Sequence, residues 1–174
     1  MKLLENNTLR LRAPEPEDLD KLYSWENDSV LWELGSTLSP YSRYELKQYI
    51  ADTGRDIYDR KQLRLIIELK ESCTTVGTID LYNFDPHHRR AGIGILIDVA
   101  HQRKGYAKNA LNLLIDYTFS FLKIHLLYAY IPITNTPSLL LLKQCGFETM
   151  GVLNDWLSTA NGYLDVQIVG RINI

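Results

Sequence analysis

Apolar and charged residues alternate at Leu9-Arg10-Leu11-Arg12, the two-residue period of a half-buried strand. Pro14 and Pro16 end that strand, and Glu15, Glu17 and Asp18 then suit the positive end of a helix running to about Trp25. Ser42 with Glu45 three residues on forms a capping-box pattern, which predicts a second helix stopping near Gly54. Residues 63–69, 75–84 and 91–99 are rich in strand formers and separated by short polar turns, so an antiparallel meander is expected, with Ile93, Ile95 and Ile97 on one face. The period then changes. Ala107, Ala110, Leu111, Leu114, Thr118 and Phe121 recur at three- and four-residue steps, predicting a helix with one packed side and Lys108, Asn112 and Asp116 in water. Residues 126–133 read as the next strand, and a strand-helix-strand succession makes a right-handed crossover, so the strands before and after the helix are expected to be parallel neighbours. Thr136-Pro137-Ser138 marks a helix start, Gly146 its stop, and residues 147–154 and 163–170 a closing hairpin.

These elements predict an α/β fold: a single mixed, mostly antiparallel sheet with a central parallel strand pair and flanking helices. No repeat and no Pro/Gly/Ser-rich linker divides residues 1–174, so one domain is expected. Composition agrees, since 174 residues that are 45% hydrophobic and 23% charged suffice for one core. A formal net charge of −2 supplies no basic field, which disfavours nucleic acid as a partner. The start of the chain lacks a signal-peptide core, and no apolar run approaches the ~20 residues of a membrane helix. A soluble, cytoplasmic protein is expected. Cys73 and Cys145 have no C-x-x-C partner and are expected as reduced core thiols, and the four histidines show no metal-binding spacing, so no metal site is read.

Candidate chemistry concentrates in HQRKGYAKNALNLLIDY, residues 101–117, where a strand end meets the first turn of a helix. The leading amides of a helix have no internal partners and point at whatever lies before them. Gly105 lets the backbone approach a bulky group, Ala107 keeps the first turn uncluttered, and Arg103 and Lys104 add charge, a combination suited to phosphate or pyrophosphate. The familiar phosphate loops are absent: there is neither a G-x-x-x-x-G-K-[ST] nor a G-x-G-x-x-G after the first strand.

Gln102-x-x-Gly105-x-Ala107 resembles the [RQ]-x-x-G-x-[GA] pyrophosphate loop of the GNAT superfamily of acyl-CoA-dependent N-acyltransferases. The likeness extends from LRLRAPEPEDLDKLYSWEND to NTPSLLLLKQCGFETMGVL, and Asn135, Ser138 and Gly146-Phe147 look like the branch of ribosomal-protein N-terminal acetyltransferases and spermidine acetyltransferases. The resemblance implies that acetyl-CoA is the co-substrate. Gln102, Arg103, Lys104, Gly105, Tyr106 and Ala107 would cradle its pyrophosphate, and the main chain of Ile95, Leu96 and Ile97 would pair with the pantetheine arm and polarise the thioester carbonyl. Asn135 would meet the pantetheine, and Ser138 would lie near the sulfur; both are also favoured residues at a helix start.

Acyl transfer to an amine demands a neutral nucleophile and a proton for the departing thiolate, and an alkyl amine with pKa about 10 is almost wholly protonated at neutral pH. Relatives often hold a tyrosine acid seven residues after the asparagine, where this chain has Leu142, and a glutamate where it has Gly92. Asp80 is the substitute candidate for base, with Ser138 or water as acid. Residues 15–33 carry seven acids, Glu15, Glu17, Asp18, Asp20, Glu26, Asp28 and Glu33, against Lys21 alone, which favours a cationic acceptor. Trp25, Trp32, Tyr41 and Tyr44 are candidates to wall it in. The expected function is N-acetylation of a primary amine, a polyamine such as spermidine, another small cationic amine or a protein N-terminus, by direct attack in a ternary complex. The alternative is a non-catalytic acyl-CoA-binding module. Exposed edges of the closing strands allow a homo-oligomer.

Overall fold

The computed structural model describes residues 3–32, 39–52 and 56–174. Alternation sets the first strand, β1 (Leu9–Arg12), with Leu9 and Leu11 buried and the arginines turned outward. After a 3₁₀ turn at Pro16–Asp18 come α1 (Leu19–Glu26) and a single turn, α2 (Ser29–Trp32). The capping box forms as read: Ser42 Oγ accepts from Glu45 N–H at 3.1 Å, Ser42 N–H donates to the Glu45 carboxylate at 2.7 Å, and α3 (Arg43–Ala51) follows. Its expected stop near Gly54 lies outside the described residues. The chain continues through α4 (Ile57–Arg60), the meander β2 (Leu63–Leu69), β3 (Thr74–Asp85) and β4 (Arg90–Ile97), then α5 (Tyr106–Ser120), β5 (Leu126–Pro132), α6 (Thr136–Gln144), β6 (Glu148–Thr159) and β7 (Gly162–Ile172).

The seven strands among the described residues join one sheet in the order β1-β2-β3-β4-β5-β7-β6, antiparallel except for the β4–β5 pair. Ile79 and Leu81 of β3, Ala91 and Ile93 of β4, and Leu127 and Ala129 of β5 face the main core, which α5 closes with Ala110, Leu111, Leu114 and Ile115. Leu142 places α6 on that same side. The opposite face is covered only partly, where Leu22 and Ile50 of α1 and α3 pack on Ile66 of β2. Arg64, Asp80, Tyr82, Gly92, Gly94, Leu96, Tyr128 and Tyr130 alternate with core residues and therefore belong to this second face.

The parallel pairing spans only Arg90–Leu126, Ala91–Leu127 and Gly92–Tyr128. Beyond it β4 stays with β3 and β5 stays with β7, so the two central strands splay apart and leave main-chain groups of β4 on the side of the gap without a strand partner.

Several expectations are corrected. The third meander strand ends at Ile97 rather than Val99, because Asp98 caps a 3₁₀ turn over Val99–His101 and leaves Val99 81% exposed. Phe121 lies just past the end of α5, exposed and stacked on Tyr117, not on its packed side. Cys73 is exposed, and only Cys145 is a core thiol. The closing hairpin is longer than the alternation suggested, since Asp155 adopts a positive φ of 51° within a break in register between Leu153 and Leu157, after which pairing resumes.

Candidate active site

Two different surfaces meet at the splay. On the core side, the 3₁₀ turn and the segment 102–105 swing the chain from β4 into α5, whose first backward amide bond runs from Asn109 to the Gly105 carbonyl at 3.2 Å. The amides of Tyr106, Ala107 and Lys108 therefore lead the helix as free donors. Gly105 has a φ of +79°, and a Cβ built on it meets nothing within 4 Å, so the glycine is required by backbone conformation while the space above it stays open. Arg103 also has a positive φ, 60°, and this turn of the chain presents consecutive backbone amides to one side. Gln102 Nε2 donates to the Ile97 carbonyl at 3.1 Å and Lys104 Nζ to the Ala100 carbonyl at 3.2 Å, tying the loop to the strand end. The predicted loop residues, 102–107, thus form one corner, a single 3₁₀ turn beyond Ile95, Leu96 and Ile97.

Asn135 and Ser138 stand at the far side of the gap, where β5 ends and α6 begins. Asn135 Oδ1 accepts from Ser138 N–H at 3.3 Å, so asparagine caps the helix and the serine hydroxyl is left without that duty. Leu142 is 4% exposed and belongs to the main core, which excludes any proton chemistry from its position. Cys145 is buried, which pushes its thiol up and keeps it protonated, a poor nucleophile. Among the described residues no cluster of three His, Cys, Asp or Glu could hold a metal ion, and no helix is long and apolar enough to cross a membrane.

On the opposite face, Trp25, Glu26, Leu31, Trp32, Arg64, Thr78, Asp80, Ile95 and Leu96 line a cavity of about 170 Å³. Asp80 is in place because its strand register sets it opposite Arg64 on β2 and Gly94 on β4. Its two carboxylate oxygens accept from Arg64 Nε at 2.7 Å and Nη2 at 3.2 Å, while Arg64 Nη1 donates to Glu26. Burial works against the Arg64 charge, but the two carboxylates overcome it and hold the guanidinium more firmly protonated than usual. One arginine between two acids leaves the trio with one net negative charge.

The acid-rich front proves less free than its count suggested. Asp18 pairs with Arg12, Asp20 with Arg43 and Glu26 with Arg64, and Asp28 caps α2 through Val30 N–H. Glu33 lies outside the described residues. Trp25 and Trp32 wall the cavity, whereas Tyr41 and Tyr44 are exposed and do not line it. Sequence reasoning missed Arg64, signalled by a lone charge in the apolar run 63–67, and Tyr82, signalled by Gly92 and Gly94 on one face of a strand of isoleucines.

Comparison with known proteins agrees with this geometry. The family model described as "Acetyltransferase (GNAT) domain" matches residues 8–148. Spermidine N(1)-acetyltransferase of Vibrio cholerae is 27% identical over 162 residues, 93% of this chain and 91% of that protein. An uncharacterised N-acetyltransferase, p20 of Bacillus licheniformis, is 29% identical over 167 residues, 95% and 93% of the two chains. The crystal structure of the Vibrio cholerae spermidine N-acetyltransferase in complex with CoA and spermine superposes with a TM-score of 0.86 at 27% identity, covering 97% of both chains. A dodecameric structure of spermidine N-acetyltransferase from Vibrio cholerae gives 0.79 at 27% identity, covering 97% of this chain and 95% of that one. The family model covers most of the chain and the overall fold superposes on a solved spermidine N-acetyltransferase, and the chain belongs to the GNAT acetyltransferase family.

Proposed function

We propose that residues 1–174 act as one catalytic domain that transfers the acetyl group of acetyl-CoA to a primary amine of a polyamine such as spermidine, in the cytoplasm. The observation that carries the reading is the cavity holding Glu26 and Asp80 between two tryptophans, on the reverse side of the same β4 segment whose main chain is open at the splay. A cationic amine entering it meets one net negative charge and two aromatic walls. The Vibrio cholerae relatives are spermidine acetyltransferases, one of them solved with CoA and spermine, which supports a polyamine over a peptide N-terminus.

In this reading Gln102, Arg103, Lys104, Gly105, Tyr106 and Ala107 hold the pyrophosphate and Asn135 the pantetheine. The main chain of Ile95, Leu96 and Ile97 pairs with the arm and donates to the thioester oxygen as negative charge develops there. Asp80 takes a proton from the ammonium when the Arg64 fork swings toward Glu26, and the Ser138 hydroxyl hydrogen-bonds the departing sulfur. Attack is direct, since Cys145 is buried and Cys73 sits in the β2–β3 turn, away from the splay. Like the dodecameric neighbour, the protein works as a homo-oligomer.

Free-thiol release from acetyl-CoA is the test, run with polyamines, peptide N-termini, amino acids and aminoglycosides. Saturable release with spermidine or spermine is expected. CoA binding without release on any amine would overturn the reading in favour of a non-catalytic acyl-CoA-binding module, the alternative that Leu142 and Gly92 keep in view.

A further inference from the structure

Two positions where relatives often hold proton-transfer groups are apolar in this chain: Leu142 is packed in the core, and Gly92 has no side chain. The space that a side chain at Gly92 would need is taken. A Cβ built there falls 2.2 Å from Tyr82 Cε2 and 2.4 Å from Cζ, so the Tyr82 ring lies flat over the Gly92 backbone. Gly92 is opposite Tyr82 across β3 and β4 and is also the last β4 residue paired with β5. The ring therefore crosses the apex of the splay, on the face that carries the Asp80 cavity. Its hydroxyl lies toward the main-chain N–H of Tyr130, a residue beyond the final β4–β5 pair, and the ring meets Tyr128 edge-on at 6.2 Å.

A tyrosine oxygen has one proton and two lone pairs. Even with one lone pair turned to Tyr130 N–H, a donor and an acceptor remain at the splay, one same-face position along β3 from Asp80. We infer that Tyr82 is the proton shuttle of the transfer step, taking over from the tyrosine and glutamate that relatives hold elsewhere. This rests on the acetyltransferase reading above. The amine nitrogen attacks the thioester carbon, giving an intermediate with a cationic nitrogen and an anionic oxygen. The oxyanion pair re-forms the C=O bond as the C–S bond breaks, the sulfur takes the Tyr82 proton, and the Tyr82 oxygen takes a proton from nitrogen. An acetamide, a CoA thiol and a neutral tyrosine result, with no charge left in the site. Because the phenol is neutral before and after, it needs no depressed pKa; burial in fact pushes it up to about 12, so its proton is present at every working pH. Asp80 and Ser138 keep their separate duties, freeing the amine before attack and hydrogen-bonding the sulfur.

Tyr82→Phe keeps the ring over Gly92 and removes only the oxygen. Single-turnover acetyl transfer in this variant should be slower by about 100-fold, the usual scale of general acid–base assistance, with acetyl-CoA binding within twofold of wild type. In the wild type, the single-turnover rate should fall along a curve, not a line, as the deuterium fraction of the solvent rises, because two protons move together; this reading needs no variant to fold. A Tyr82→Phe rate within threefold of wild type, or a linear deuterium dependence, would overturn the shuttle. If spermidine is inert but another amine is acetylated, the polyamine reading falls and the same comparison on that amine still decides the shuttle; if no amine is acetylated, both fall.

Discussion

Among the described residues, Arg12 and Arg64 each bridge a pair of carboxylates, and of these two pairs the one at Arg64 faces a cavity. At the sheet edge, Arg12 joins Asp18 and Glu68. There Asp18 also accepts from Glu15 N–H at 2.8 Å and Thr75 Oγ1 at 2.9 Å, Glu68 accepts from Arg10 as well, and the two acid side chains are only 3% and 5% exposed. Around Arg64, by contrast, Glu26 and Asp80 keep open lone pairs toward a cavity with aromatic walls. The same three charges make a closed structural joint in one place and the wall of an open acidic cavity in the other. What differs is whether the neighbourhood finishes the hydrogen bonding.

Breaking the closed joint should have the largest effect on stability. Asp18→Ala leaves Arg12 and Thr75 short of a buried partner and should cost about 3 kcal/mol, seen as a fall of roughly 10 °C in Tm. Its kcat/KM for the amine, measured well below that Tm, should stay within threefold of wild type. Acid should act on the same joint. Burial alone pushes Asp18 and Glu68 up, but hydrogen bonds from Arg12 and its neighbours more than reverse this and hold both carboxyls below their usual range. Their contribution is fully present above the ordinary carboxylate range near pH 4 and is lost as pH falls through the depressed folded values. Denaturation midpoints measured from pH 6 down to pH 2 should therefore drop below about pH 4, and less steeply in Asp18→Ala.

A smaller effect separates cofactor binding from both arginine sites. Gly105→Val places a β-branched residue at a φ of +79° and a side chain in the open space before α5. Calorimetry should show acetyl-CoA binding weakened by about tenfold, roughly 1.4 kcal/mol, with the amine KM little changed. Unchanged binding would remove the corner from the cofactor site.

Legibility in the sequence followed the range of the forces involved. Local signals were readable: the Ser42–Glu45 capping box, the alternation in β1, the α5 period and the glycine corner all depend on residues within a few positions. The parallel pair could be inferred because chain chirality leaves one sensible crossover. Long-range partnerships were not readable. Arg64 sits opposite Asp80 only through the β2–β3 register, while Arg90, nearer in sequence, pairs with Asp85. The seven acids at the front read as a free field, but Asp18, Asp20 and Glu26 are met by arginines from β1, α3 and β2. Tyr82 carries no local signal within the strand 75–84, because its position over Gly92 is set by a neighbouring strand.

The central claim is that the Arg64 cluster recognises the acceptor while the Arg12 cluster holds the fold. Asp80→Asn tests it most directly, since the amide keeps the shape and removes the charge and any base. Steady-state kinetics with spermidine and thermal melts on the same preparation should give kcat/KM lower by about 100-fold with Tm within about 3 °C of wild type. An unchanged kcat/KM, or a loss matched by a collapse in Tm like that of Asp18→Ala, would make Asp80 a second structural joint and contradict the account.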